Sequence, residues 1–490
     1  MFKKPTKKQF IIRRIILSSV ATLAVIIIAT ASILFMLGYR LDGGNGRIEQ
    51  GSLLQFDSTP NGANVFVDGR NIGSQTATKQ TVLAGTHTVK MTKTGYQDWN
   101  RTLTLDAGTL TWLDYTRFVP KDRPVESVTT YEALAGVRFS PDKKWALIEE
   151  TATKPQFRLV DLRSTDVKTS TLDLPVETYA EATTEGVVHS FSITSWDTGS
   201  RYVLVKHLYN DQTEWLVVDT QNVSQTVSVT KLFNVGLHDV QFASTNGKVL
   251  YGLTNDGTLR KIDIAAATLS RSFVTHVESF SIYDNTTISY VGADPSDATK
   301  RVVGVYRDGD ESSHILRSVA DSDTALKIAA SRYFSDDYVA IAEGNVVTIL
   351  KGSYPSSSSQ DNSSLKKFAS MELAGAVSHL SFSPKGGYVV AQSGETYKSY
   401  EIEHRHAYAG MLAVKDGQTA PTLKWLDVAH LWNDEGGSLI MRDFDGSNIY
   451  SIMTIEPGFE ASLSQNGRFF YAIGKNDQGY HLQRVKMILD

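Results

Sequence analysis

Residues 15–37 form an unbroken run of 23 uncharged, mostly apolar positions. At about 1.5 Å per residue such a helix spans roughly 35 Å, enough to cross a bilayer core of about 30 Å. From about Gly51 the pattern changes to strict alternation, the mark of half-buried strands. In residues 86–92, His87, Val89 and Met91 share one face and Thr88, Lys90 and Thr92 the other; Val65 with Val67 and Leu103 with Leu105 repeat the arrangement. Turn signals separate these strands at Pro60-Asn61-Gly62, Asp68-Gly69, Ala84-Gly85, Thr94-Gly95 and Ala107-Gly108. From about Arg123 onward, short apolar strands are punctuated by turns every 8 to 15 residues with no amphipathic helix between them, which predicts an all-β body.

The 14 residues before the apolar run carry six cations (Lys3, Lys4, Lys7, Lys8, Arg13 and Arg14) and no acid. The positive-inside rule keeps that end cytoplasmic and places the chain from about Tyr39 on the far side of a membrane. Ala29-Thr30-Ala31 has the small-x-small form of a signal-peptidase site, so a cleaved leader is the competing expectation; the apolar run continues past it to Leu37, as in a signal anchor. The expected organisation is a basic tail (1–14), a transmembrane helix (15–37), a linker (38–50) with a glycine-rich stretch at Gly43–Gly46, a small β domain (51–120) and a repeat body (123–490).

Composition narrows the chemistry. The chain has no cysteine, which removes disulfides, thiol nucleophiles and thiolate metal sites. Its net charge of −4 includes the six tail cations, so the remainder carries −10. An anionic body argues against nucleic-acid binding, which relies on cationic surface.

In the small domain, Ser58-Thr59-Pro60-Asn61-Gly62-Ala63, then Val65, Val67, Asp68 and Gly69, then Ala84-Gly85-Thr86-His87 and Val89, and finally Gly95-Tyr96 stand in an order and spacing that resemble the PEGA domain. Asn61 replaces the family's glutamate, and Ala77 follows Thr76 where proline is common. The resemblance implies a small β-sandwich of prokaryotic envelope and surface proteins, a non-catalytic interaction or spacer module. The residues themselves predict an antiparallel domain, with His87 a partly buried strand residue rather than a ligand.

The body repeats a unit: an apolar strand ending near serine, a polar turn, then a second apolar strand. It is clearest at Val137-Arg138-Phe139-Ser140-Pro141-Asp142 and Leu380-Ser381-Phe382-Ser383-Pro384-Lys385-Gly386. Anchors at Ser140, Ser195, Ser244, Ser281, Ser335, Ser383, Asn433 and Ser464 stand 31 to 55 residues apart. A third strand often ends in aspartate, as at Asp161, Asp219 and Asp263. These features resemble the blades of TolB-like and WD40-like β-propellers. They imply seven or eight four-stranded blades, with the strand near residues 125–131 closing the ring against the C-terminal blade. A tandem of β-sandwiches is the alternative, and the serine-rich stretch 353–364 reads as a loop leaving one blade.

Motifs for serine hydrolases, zincins and P-loop enzymes are missing. The nearest metal-like cluster is Glu401, Glu403, His404 and His406, where two histidines on one strand would share a face; an exposed polar strand explains it as well. Asp443-Phe444-Asp445-Gly446-Ser447-Asn448 alternates oxygen ligands like a calcium loop but lacks the later acids, so a tight turn is the expectation, as for Asp308-Gly309-Asp310-Glu311. Trp432, beside Asn433 and Asp434, is a candidate for facing a ligand at one end of the ring. No catalytic, cofactor or metal residue is assigned. The expected function is a non-catalytic, membrane-anchored extracytoplasmic binding or scaffold protein whose propeller face takes a protein or cell-wall glycan. The alternatives are an envelope polysaccharide enzyme using channel carboxylates and the ligand-binding part of a transmembrane sensor.

Overall fold

The structure is a computed structural model that describes residues 7–36, 38–41, 48–243, 247–320, 324–355, 364–415 and 417–490. Gly43–Gly46, Ser244 and the serines 356–359 lie outside the described residues. The chain divides into two compact units, Met1–Asp122 and Arg123–Asp490.

In the first unit a helix runs over Lys7–Met36, starting before the apolar run and taking Arg13 and Arg14 into its first turns. Its segment Phe10–Met36 is long and apolar enough to cross a membrane, and none of the most apolar part is buried by the rest of the protein. Leu17, Ile28 and Phe35 are among its exposed side chains. An apolar surface of that length left bare in water would be costly, which is why it reads as a lipid-facing or leader segment.

The module that follows is a two-layer β structure. One sheet holds Arg70–Gln75, Asn64–Val67, Gly85–Thr92 and Trp99–Leu105 in spatial order; the other holds Thr78–Val82, Ser52–Thr59 and Leu110–Arg117. Leu54, Phe56, Val65, Val89, Met91 and Trp99 fill the space between them. The alternation at Val89 and Met91 is the one expected, with Thr88 and Lys90 outside. The expectation of an antiparallel domain fails at one pair: Ser52–Thr59 and Leu110–Arg117 run parallel. The turn at Ala107-Gly108 moves the chain from one sheet to the other, with Gly108 N–H donating to Gly51 O (3.0 Å), so the last strand lies beside the first in the same direction. The intervening sheet is the crossover that a parallel pair requires. Thr76 ties the motif turn together, its hydroxyl 2.6 Å from Ser58 Oγ and accepting from Ala63 N–H at 3.0 Å.

The second unit contains eight four-stranded antiparallel sheets among the described residues. Seven are consecutive in the chain, over residues 136–173, 189–228, 237–269, 277–319, 326–372, 379–411 and 424–454. The eighth combines three C-terminal strands with Val125–Tyr131, which pairs with Gly479–Lys486 as the repeat reading expects. Each sheet buries both faces. Along Tyr202–Tyr209, Val203 and Val205 join the core shared with the preceding sheet, whereas Leu204 joins the core shared with the next. The period-two pleat thus sends alternate apolar side chains to two different cores, and a middle strand reads as a continuous apolar run.

The same sharing recurs around the unit. Tyr290 and Tyr251 bridge the third and fourth sheets, Val303 and Val339 the fourth and fifth, Ala340 and Val389 the fifth and sixth, and Val390 and Leu431 the sixth and seventh. Tyr471 and Leu482 of the closing sheet pack with Val137 and Ile148 of the first. Between the seventh sheet and the closing one, Glu456 N–H donates to Ile473 O (2.8 Å) and the Arg123 guanidinium to Ser451 O (3.0 Å). Sheets that each pack on two neighbours, with the last packed on the first, form a β-propeller and not a row of sandwiches.

The serine turns have a physical basis. At Ser140, Ser383 and Ser464 the serine N–H donates to the carbonyl five residues on, of Trp145, Tyr388 and Phe469 (2.9, 2.9 and 2.8 Å). In return the serine hydroxyl accepts that residue's N–H, at 3.0, 3.2 and 3.0 Å. Three of the other anchors fall elsewhere: Ser195 and Ser281 lie inside first strands, and Asn433 lies in a second strand. Other acceptors do the work there. Asp197 Oδ1 takes the N–H groups of Arg201 and Tyr202 (2.8 and 2.7 Å), and Asp427 Oδ1 those of Ala429 and His430 (3.1 and 3.0 Å). Ser140→Ala, Ser383→Ala and Ser464→Ala are each expected to cost about 1–2 kcal/mol by stranding that N–H. Urea unfolding of the three variants measures it, and midpoints unchanged from wild type would refute the turn's role.

Candidate functional site

First strands of neighbouring sheets touch one another around the ring, as Gly136–Phe139 does His189–Trp196 and Leu326–Tyr333 does His379–Phe382, so they line its axis. Side chains stitch this wall together. Arg138 Nε donates to Thr194 O (3.3 Å), Trp196 Nε1 to Arg138 O (3.1 Å), and Gln241 Nε2 to Phe280 O (3.0 Å). Carboxylates on or beside these strands are occupied: Glu460 accepts from Phe139 N–H (3.3 Å), and Glu278 pairs with Arg301.

Where the fourth, fifth and sixth sheets meet, the wall opens into a pocket of about 230 Å³ lined by Ser279, Ser281, Lys327, Ser378 and His379. His379 Nε2 lies 3.0 Å from Ser381 Oγ. Burial, then the cations of Lys327 and Lys424, holds the His379 imidazole below its ordinary value. Among the described residues, Lys327 is the one cation of this lining, beside an imidazole held in its neutral form and three serines.

Glu214 and Glu149 are buried acids of the second and first sheets. Glu214 is closed off from solvent, its Oε2 bonded to His207 Nδ1 (2.7 Å) and Ala180 N–H (2.9 Å) and its Oε1 to the Ser228 hydroxyl. Burial raises this carboxyl, but the three donors outweigh it and leave it below the usual carboxylate range. His207 passes the contact on to His189 at 2.9 Å and stacks on Phe191, ring centroids 4.4 Å apart.

Glu149, at the end of Trp145–Glu149, is different. Its Oε1 has no hydrogen-bond partner among the described residues, and burial pushes the carboxyl up to about 7 despite the Ile193 N–H and the Arg138 cation. An acid raised above its unfolded value of 4.5 favours the fold fully below that value, and the contribution is lost as pH rises to about 7. The loss is on the order of 3 kcal/mol. Glu149→Gln is therefore expected to raise the melting temperature at pH 8 by several degrees and to leave it nearly unchanged at pH 5. Equal effects at both pH values in thermal melts would disprove the assignment.

The residues singled out in the sequence are placed as follows. His87 is partly buried on its strand, bonded to Asp68 Oδ2 (2.7 Å) and Leu83 O (2.8 Å). His404 and His406 do not share a strand face, because the chain reverses between Thr396–Glu401 and His406–Met411 with Arg405 at φ 53°. His404 Nδ1 meets Glu401 Oε1 at 2.7 Å, and Glu403 accepts from Tyr333 OH at 2.7 Å. No group of three or more His, Asp or Glu fit to hold a metal occurs among the described residues.

Asp443–Asn448 is a tight turn, with Asp445 Oδ1 accepting from Ser447 N–H and Oγ (2.9 and 2.6 Å) and Gly446 at φ 81°. Asp308 pairs with Lys261, and Asp310 with His314. Trp432 faces no ligand at the ring's end: it is 5% exposed within His430–Asp434, with Lys424 Nζ 5.2 Å above its ring. Lys327, His379 and Lys424 were not singled out in the sequence. Their signal is positional, since each is the first or second residue of a first strand.

No curated protein matches the chain. Among solved structures, it is similar to the β-propeller domain of Cps50 (Swd1) from Myceliophteria thermophila, at 13% identity and a TM-score of 0.40, over 67% of this chain and 100% of that one. Residues 52–118, the two-layer module whose turn is tied by Ser58 and Thr76, match the PEGA domain family.

Proposed function

We propose that this protein is a non-catalytic, membrane-anchored binding or scaffold protein of a prokaryotic cell envelope, its N-terminus cytoplasmic and residues from about Tyr39 extracytoplasmic. The observation that carries this reading is the bare apolar helix Phe10–Met36, preceded by a cationic tail and followed by an all-β module and an all-β second unit. The PEGA-like module serves as spacer or envelope contact. The propeller offers a rigid multi-loop face to a protein or cell-wall glycan, and the anionic body and absent cysteine leave nucleic acid and thiol chemistry outside the reading.

Two measurements test it. Full-length protein should resist a carbonate wash of membranes, and protease added to intact cells should digest the body; release by carbonate, or protection until lysis, would sink the anchored, outward-facing topology. A body of residues 40–490 should co-sediment with insoluble wall material or recover a membrane-protein partner, and turnover of wall polysaccharide by that body would replace the binding role with an enzymatic one.

A further inference from the structure

We propose that the outer face of the three-stranded sheet in the first unit rests on the lipid surface from which the helix emerges, with Leu53 and Leu110 at the edge of the hydrocarbon and Trp112 and Lys79 among the lipid headgroups. This rests on the anchored reading above and deepens it, because the module becomes a second, peripheral contact with the membrane that the helix crosses.

The connection between helix and sheet is short and bonded. Tyr39–Leu41 pairs with Ile48–Gln50, which returns the chain to the end of the helix. There Gly51 N–H donates to Gly38 O at 2.9 Å, and Gly38 N–H to Phe35 O at 3.1 Å. Gly51 has no room for a side chain, since a Cβ would stand 2.7 Å from Val82 O and 2.8 Å from Thr81 Cγ2. A notch of about 390 Å³ has Phe35 and Met36 of the helix on one side and Leu53, Thr81 and Leu110 of the sheet on the other. Helix length sets its depth. Arg14 is the last cation before the apolar run; residues 15–36 rise about 33 Å, against a hydrocarbon core of about 30 Å. Met36 therefore reaches the far boundary of the core, and the sheet edge facing it stands at that level.

Strand register sorts the outer face into rows. Leu53 stands beside Thr81 and Leu110, and Gln55 beside Lys79 and Trp112. Asp57 and Asp114 follow farther along the same strands. Each row advances about 7 Å, close to the depth of about 5–8 Å of the headgroup layer. The face thus runs from apolar through aromatic and cationic to acidic, the order in which a bilayer presents hydrocarbon, headgroups and water. Tryptophan favours the interface, a lysine keeps its stem on apolar surface and its ammonium among phosphates, and carboxylates stay in water. Among the described residues of the module, Leu110 and Trp112 are the large apolar side chains left exposed. The outer face of the other sheet carries Thr86, Thr88, Lys90 and Thr102 instead.

The test uses the full-length protein reconstituted in phosphatidylcholine vesicles, with and without bromine on the acyl chains. Trp112 is one of seven tryptophans and none lies in the helix, so bromine should quench no more than one seventh of wild-type emission, and Trp112→Phe should abolish that quenching. A second readout does not need that variant to fold. Because the chain has no cysteine, a nitroxide can be placed singly on Lys79→Cys or on Thr88→Cys, both exposed positions on opposite faces of the module. The label at 79 should be at least about threefold less accessible to a water-soluble nickel chelate than the label at 88, as headgroup burial requires. Wild-type emission that bromine leaves unchanged, or equal accessibility at the two positions, would overturn the contact. Shielding at 79 without bromine quenching would put a protein, a second copy included, on this face in place of lipid, and would overturn it as well. Protein that a carbonate wash releases from the vesicles fails the anchored reading itself, whereas protein retained there without quenching fails this contact alone.

Discussion

Removing residues 477–490 is expected to abolish the cooperative fold of the propeller unit. Gly479–Lys486 is the strand between Val125–Tyr131 and Phe469–Asn476, and it holds the two ends of the repeat body together. Leu482, Val485 and Met487 are buried there. At roughly 1.5–3 kcal/mol per buried apolar side chain, their loss alone amounts to about 5–9 kcal/mol, comparable with the whole net stability of a typical domain, about 5–15 kcal/mol. The deletion also strands Glu126, whose carboxylate takes Arg484 Nε and Nη2 at 2.9 and 3.0 Å. It leaves two unpaired strand edges in a molecule whose architecture otherwise protects them. Size-exclusion chromatography and thermal melting of the truncated chain check this; a monomeric protein with a cooperative melt close to that of the full chain would show that closure is dispensable.

The second large effect is expected at Glu214. Glu214→Ala should cost about 3–5 kcal/mol, because it leaves His207 and the Ala180 N–H buried without their acceptor. Replacing both partners with apolar residues, His207→Phe with Glu214→Leu, should recover much of that loss, since His207 already stacks on Phe191 and no charge or donor of the pair remains unmatched.

The pH dependence follows from the same pair. Glu214 is held below its unfolded value of 4.5, so its contribution is present above that pH and lost as pH falls through the folded value. His189 is held below 6.5 by burial and then by His207, so the fold favours its neutral form and loses that preference as pH drops below 6.5. Glu149 gains stability over the same acid range, so the comparison is made in a Glu149→Gln background, where the protein should weaken progressively on acidification below about pH 6.5 and the double apolar variant should lose the Glu214 part of that slope. Guanidinium unfolding at pH 7.5, 5.5 and 4 distinguishes these cases, and a double variant with an unaltered acid limb would refute the role of Glu214.

Local chemistry carried much of this structure. Alternation at Val65, Val67, Val89 and Met91 needs only the two-residue pleat, so their shared burial was legible along the chain. The serine turns at Ser140, Ser383 and Ser464 were legible for a similar reason, because donor and acceptor lie within five residues. The regular spacing of repeats also announced closure by Val125–Tyr131, since a strand left over at one end of such a series has a natural partner at the other.

Misplaced residues have a common cause. Asp197 and Asp427 perform the serine's task with a carboxylate, so matching residue type shifted the anchors to Ser195 and Asn433. Trp432 was read from its neighbours in sequence, whereas its burial depends on sheets on either side of it. His404 and His406 were separated by a chain reversal that a two-residue spacing does not reveal.

The sequence by itself determined the apolar helix, the alternating strands, the all-β repeat and the turns, because each depends on interactions within a few residues. Only the tertiary structure decided the parallel pairing of Ser52–Thr59 with Leu110–Arg117, the burial of Glu149 and Glu214, and the placing of Lys327 and His379 in one pocket. Those features depend on which distant strands become neighbours. Desolvation and charge proximity are properties of that neighbourhood and have no period along the chain.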